Sequence, residues 1–150
     1  MCSSPRACFH TLPFLTLLPN PPSTHHPPTH ADARVFDPSA GARAALALRG
    51  HLDFSFAAAW HPGGLLVATG NQDRTTRLYD LRAPARPLAL LRARIGAVRS
   101  LRFSPDGGLL AAAEPADYVS VHAAGPAGDW GVSQAVDLFG EVAGVSWGRG

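Results

Sequence analysis

Apolar residues in this chain come in short bursts, each cut off by turn-forming residues. "FSFAAAW" stops at "HPGG", "LLVATG" stops at "NQDR", "TTRLYDL" stops at "APA", and "RPLALLR" follows. Runs of this length, rich in aromatic and branched residues and bounded by Gly, Pro, Asn and Asp, are strands rather than helices. Glycine in "HPGG" permits the positive φ that a tight turn requires. Alternation of apolar and polar positions is imperfect, most clearly in "LLVATG". That pattern suits an inner strand covered on both faces, where neither face has to be polar.

The same phrase recurs. With a shift of 43 residues, Leu48-Arg49-Gly50-His51 falls on Leu91-Arg92-Ala93-Arg94, Trp60 on Phe103, Pro62 on Pro105 and Gly64 on Gly107. Upstream, Arg34-Val35-Phe36-Asp37 aligns with Arg77-Leu78-Tyr79-Asp80. Downstream, with one extra residue, "GEVAGVSW" aligns with "GAVRSLRF" and places Trp147 on Phe103. Four strands in about 43 residues is the content of one propeller blade. A β-sandwich also spaces short strands by turns, but it does not call for a regular period.

Residues 1–30 differ from the rest. "PNPPSTHHPPTH" suits neither helix nor strand pairing, since proline removes donors and restricts φ. "FHTLPFLTLL" is apolar enough for a signal-peptide core, but Pro13 interrupts it and no small-residue cleavage site follows closely. Disorder is the expectation. The remainder divides into blade parts 31–49, 50–92, 93–136 and 137–150.

Composition narrows the chemistry. A chain of 150 residues with 46% hydrophobic and 16% charged residues holds one globular domain. A net charge of +2 is too small to demand a polyanionic partner. All 13 basic residues are arginine, and the parallel richness in Ala, Gly and Pro reads as compositional bias. Cys2 and Cys8 both lie in the tail and supply no disulfide framework for the repeats, and His25, His26 and His30 lack metal-ligand spacing. No apolar segment is long enough to cross a membrane as a helix. Neither metal nor cofactor is expected, and the predicted setting is intracellular, cytoplasmic or nuclear.

The residues that carry these repeats resemble the WD40 family: Gly50-His51 before the first strand, Asp73 before the third, and Tyr79-Asp80 in place of Trp-Asp. The resemblance implies an all-β WD40 β-propeller fragment, with two full four-stranded blades plus parts of two flanking blades. It also implies a buried hydrogen-bonded tetrad of His51, Thr69, Asp73 and Tyr79. A hydroxyl in place of indole puts closure at Tyr79 in question. In the second repeat the corresponding positions hold Arg94, Ala112, Ala116 and His122, so the first blade is expected to be better locked. "AEPADYV" and "DLFGEVAGVSW" further resemble a WD-repeat family of plants and fungi with no assigned activity.

His51, Thr69 and Asp73 also have the composition of a hydrolytic triad. A triad needs an exposed nucleophile on a strained turn, however, and Thr69 lies inside a predicted strand. The expected role is therefore a non-enzymatic scaffold for other proteins or peptides, with Asp53, Arg94 and Glu114 as candidate partner-facing residues. Nucleic-acid binding through the Arg74–Arg102 stretch is the alternative, weakened by the few aromatic residues among those arginines. With too few blades for a ring, the terminal blade faces are expected to favour association.

Overall fold

Strand ends fall where turn residues interrupt the apolar runs. The computed structural model describes residues 14–16, 32–37, 44–126 and 128–148. Their strands are β1 (Phe14–Thr16), β2 (Ala33–Phe36), β3 (Ala44–Leu48), β4 (Ser55–Trp60), β5 (Leu66–Asn71), β6 (Thr75–Asp80), β7 (Ala89–Arg92), β8 (Ser100–Phe103), β9 (Leu109–Ala113), β10 (Ala116–Ala124) and β11 (Trp130–Glu141). They form three antiparallel sheets, ordered β1-β2-β3, β4-β5-β6-β7 and β11-β10-β9-β8. Among the described residues there is no helix. The architecture is that of adjacent propeller blades.

The repeat seen in the sequence is a repeat of strand register. Val67 pairs with Tyr79 and Thr69 with Arg77; 43 residues on, Leu110 pairs with His122 and Ala112 with Ser120. Directly paired residues share a face, so equivalent side chains in the two sheets point the same way.

Burial follows from this stacking. On one face of the β4–β7 sheet, Val67 and Tyr79 pack with Ala33, Val35 and Leu48. On its other face, Ala68, Leu78 and Leu91 pack with Leu101, Phe103 and Leu110. The middle sheet is therefore covered on both sides, and every residue of β5 after Leu66 is buried. That accounts for the lost alternation in "LLVATG".

Phe14, Leu15 and Thr16 pair with Phe36, Val35 and Arg34 and give the first sheet a third strand. A short branched and aromatic run can satisfy its backbone at a sheet edge despite the neighbouring prolines. The rest of residues 1–30, with Cys2, Cys8, His25, His26 and His30, lies outside the described residues. The expected boundary between residues 136 and 137 falls inside β11, which pairs with β10 through two register shifts as far as Ala116↔Glu141. Bulges let one long strand follow its partner past the expected end.

After Glu141 the chain returns to the inner edge of the last sheet. Val145 N–H donates to Ser100 Oγ at 3.4 Å, and Trp147 Nε1–H donates to the Arg102 carbonyl at 3.1 Å. Trp147 thus lies beside β8.

The seam between the second and third sheets leaves no room at Gly70. A Cβ there would lie 2.8 Å from Val98 Cγ1 and 2.9 Å from the Val98 carbonyl. Gly70→Ala is expected to destabilise the fold by roughly 1–3 kcal/mol, because the loop must move. Gly131→Ala, where a Cβ meets nothing within 4 Å, serves as the control. A urea melt in which the two variants lose equal stability would contradict this packing.

Candidate functional site

All four expected tetrad residues stand at the face of the β4–β7 sheet that meets the first sheet. His51 follows β3, Thr69 lies on β5, Asp73 in the β5–β6 turn and Tyr79 on β6. His51 Nε2 is 2.8 Å from Thr69 Oγ1, and His51 Nδ1 is 3.1 Å from Asp73 Oδ2. Burial holds the imidazole below its ordinary pKa against the opposing pull of Asp73. The neutral ring then donates from Nδ1 to the carboxylate and accepts the Thr69 hydroxyl proton at Nε2. Burial pushes the Asp73 carboxyl up, but hydrogen bonds from Thr75, the Leu52 N–H and His51 outweigh it and leave the pKa lowered. This carboxylate ties together a turn, a strand start and the loop that enters β4.

Tyr79 does not close the chain of bonds at Thr69. Its hydroxyl donates instead to the Arg49 carbonyl at 2.8 Å, two residues before His51. The ring is fully buried, and burial raises the phenol pKa despite the nearby Arg77. Arg77 occupies the space above Gly50: a Cβ at Gly50 would lie 2.1 Å from Arg77 Nη1, and the Gly50 φ is 123°. Gly50 therefore meets both a backbone demand and a steric one. The loop is anchored at both ends, by Tyr79 at Arg49 and by His51 at Asp73.

The second loop carries a lock of different chemistry. Glu114 was a candidate partner-facing residue, but it is 2% exposed. Its Oε1 accepts the Arg94 N–H, and its Oε2 accepts the N–H groups of Ile95 and Gly96, all at 2.7 Å. A buried carboxylate is stable only when its lone pairs are used in this way. In register, Glu114 is the counterpart of Asn71, whose side chain binds the Asp53 carbonyl, Ser55 Oγ and the Asp73 N–H. The same position thus anchors both entry loops. "AEPADYV" carried the signal, as an acidic residue at the end of an otherwise apolar strand.

The other candidates lie on those loops. Asp53 is half-buried and caps the Phe54 N–H at 2.8 Å. Arg94 is exposed, with its guanidinium 5.5 Å from the Tyr118 ring centre. Residues not singled out from the sequence complete the rim. Leu52 is 87% exposed and Ile95 51% exposed, and Arg99 lies 5.2 Å from the centre of the Phe56 ring.

Thr69 has no exposed surface and its hydroxyl is engaged by His51, which closes it to any substrate. Among the described residues no group of His, Cys, Asp and Glu could hold a metal ion.

Two predictions follow from the buried polar groups. Glu114→Gln would set an amide NH₂ against a backbone N–H, and is expected to cost about 1–3 kcal/mol in chemical denaturation. A change within error would show that the three amide bonds contribute nothing. The second concerns pH. His51 and His122 both have folded pKa values lowered from 6.5 by burial. Below pH 6.5 the unfolded chain takes up protons that the folded chain refuses, so stability rises with pH through the window beneath that value. The contribution is complete above it and is lost on acidification. Among the described residues His122 Nδ1 has no hydrogen-bond partner, and His122→Leu should flatten part of that slope in melts across pH. An unchanged slope would contradict the assignment.

Comparison with known proteins agrees with this geometry. The family model described as WD domain, G-beta repeat matches residues 44–80 and 86–117. No sequence among curated proteins matches. The crystal structure of Sqt1 from Saccharomyces cerevisiae is similar, with 28% identity and a TM-score of 0.55, over 59% of this chain and 24% of that chain. This chain therefore spans about a quarter of the length of that protein. Blade-like sheets in one repeating register thus coincide with two matched WD40 repeats in this chain.

Proposed function

We propose that the chain acts as a non-enzymatic scaffold, holding a protein or peptide partner on the rim where the loops enter β4 and β8. WD40 repeats in general serve protein interaction, and the features of this rim support that role here. Leu52 stands 87% exposed on a loop pinned from beneath by His51, Asp73 and Tyr79. Ile95 stands exposed on a loop whose amides are held by Glu114. Rigid loops that present apolar side chains lose little entropy when a partner covers them. Leu52, Phe54 and Ile95 place several exposed apolar side chains on anchored loops at one end of the sheets, which supports a contact region there.

The rim is one surface. The Val98 N–H donates to the Asn71 carbonyl at 3.1 Å, and the Ala93 N–H donates to the Arg74 carbonyl at 2.9 Å. Asn71 in turn holds the Asp53 carbonyl. The two entry loops and the β5–β6 turn are stitched together by these bonds.

Photo-crosslinking in cells tests the proposal. A crosslinkable residue at Leu52 or Ile95 is expected to capture the same partner protein, lost on Leu52→Asp. The same residue at Leu88, exposed at the other end of the strands, is expected to capture less of it. Equal capture from both ends, unaffected by Leu52→Asp, would remove the rim from the function.

A further inference from the structure

We infer that the rim selects an acidic peptide segment bearing aliphatic side chains. This rests on the scaffold reading and adds the chemical class of its partner. The loops at residues 49–54, 72–74 and 93–99 contain Arg49, Arg74, Arg94 and Arg99 against Asp53 and Asp73. The inward turn of the acids makes this balance effective. Asp73 is consumed by His51, Thr75 and the Leu52 N–H. Neighbouring Glu114 is consumed by three loop amides. The carboxylates that hold the loops therefore do not face a ligand, whereas the Arg74, Arg94 and Arg99 side chains are exposed.

Two of these arginines are positioned. Arg94 lies over Tyr118 and Arg99 over Phe56. Each ring restrains its guanidinium while the N–H edge stays available for a carboxylate. Guanidinium groups on the loops that also carry Leu52 and Ile95 match a segment with both acidic and aliphatic residues, by charge complementarity and apolar burial together. Leu52 and Ile95 on the same loops supply aliphatic area for a peptide, and the exposed Phe54 and Phe56 rings add apolar surface to it.

The opposite ends of the strands differ in charge. There Asp80 is half-buried and held down to about 2 by hydrogen bonds from Arg82, and exposed Asp106 and Asp129 lie in turns at the same end as Arg86. Complementarity to an acidic segment is thus greater at the rim where the loops enter β4 and β8.

A random-peptide display library selected on the full chain provides the test. Enriched peptides are expected to be net acidic with aliphatic residues, and to lose binding to Leu52→Asp. Their affinity should fall roughly tenfold for the Arg94→Glu, Arg99→Glu pair and weaken as salt rises. Thermal melts that match the parent chain, with Leu88→Asp as a control, separate lost binding from lost folding. Neutral or basic peptides that bind through Leu52 would overturn the acidic class and leave the scaffold reading intact. Peptide binding indifferent to every rim substitution would overturn both. Displacement of the peptides by an oligouridylate, with a steeper salt dependence than theirs, would assign the rim to nucleic acid instead.

Discussion

A sheet covered on both faces keeps water away from its polar side chains, and that constraint governs this structure. The β4–β7 sheet has another sheet against each face. A polar side chain directed into either seam needs a partner there, which among the described residues Thr76 Oγ1, Arg77 Nε and His122 Nδ1 lack at a cost in stability. His51, Asn71, Asp73 and Glu114 meet that requirement by binding the loops that cross the sheet edge. The seams thereby position the rim.

Two neighbouring blades solve the same problem with different chemistry. In the first, an imidazole bridges a hydroxyl and a carboxylate, and a phenol reaches past them to a backbone carbonyl. In the second, one carboxylate accepts three backbone amides and no imidazole takes part. Asn71 and Glu114 occupy one position in the strand register, so the location of the anchor is shared while its donors and acceptors are exchanged. Loop rigidity is the common result, and it makes the exposed apolar residues above the anchors useful for recognition.

Most of the fold was legible because strand length, turn chemistry and a 43-residue period are local or near-local properties. The bonds of His51 to Thr69 and Asp73 follow from residue types that resemble a family pattern. Glu114 was misread as partner-facing because an acid near a turn is usually solvated. Its burial depends on three amides nearly twenty residues away in sequence, which no local pattern reveals. The strand Phe14–Thr16 was hidden among prolines, because an edge pairing depends on the neighbour it finds.

The sequence by itself determined the strands, their turns, the repeat and the residues able to form a lock in the first blade, because periodicity and glycine and proline stereochemistry act over a few residues. Only the tertiary structure decided where Tyr79 sends its hydroxyl, that Arg77 fills the space over Gly50, and that Glu114 is an anchor. Those outcomes depend on distances between segments brought together by stacking of the sheets. A hydrogen bond takes whichever partner lies within about 3 Å, regardless of separation along the chain.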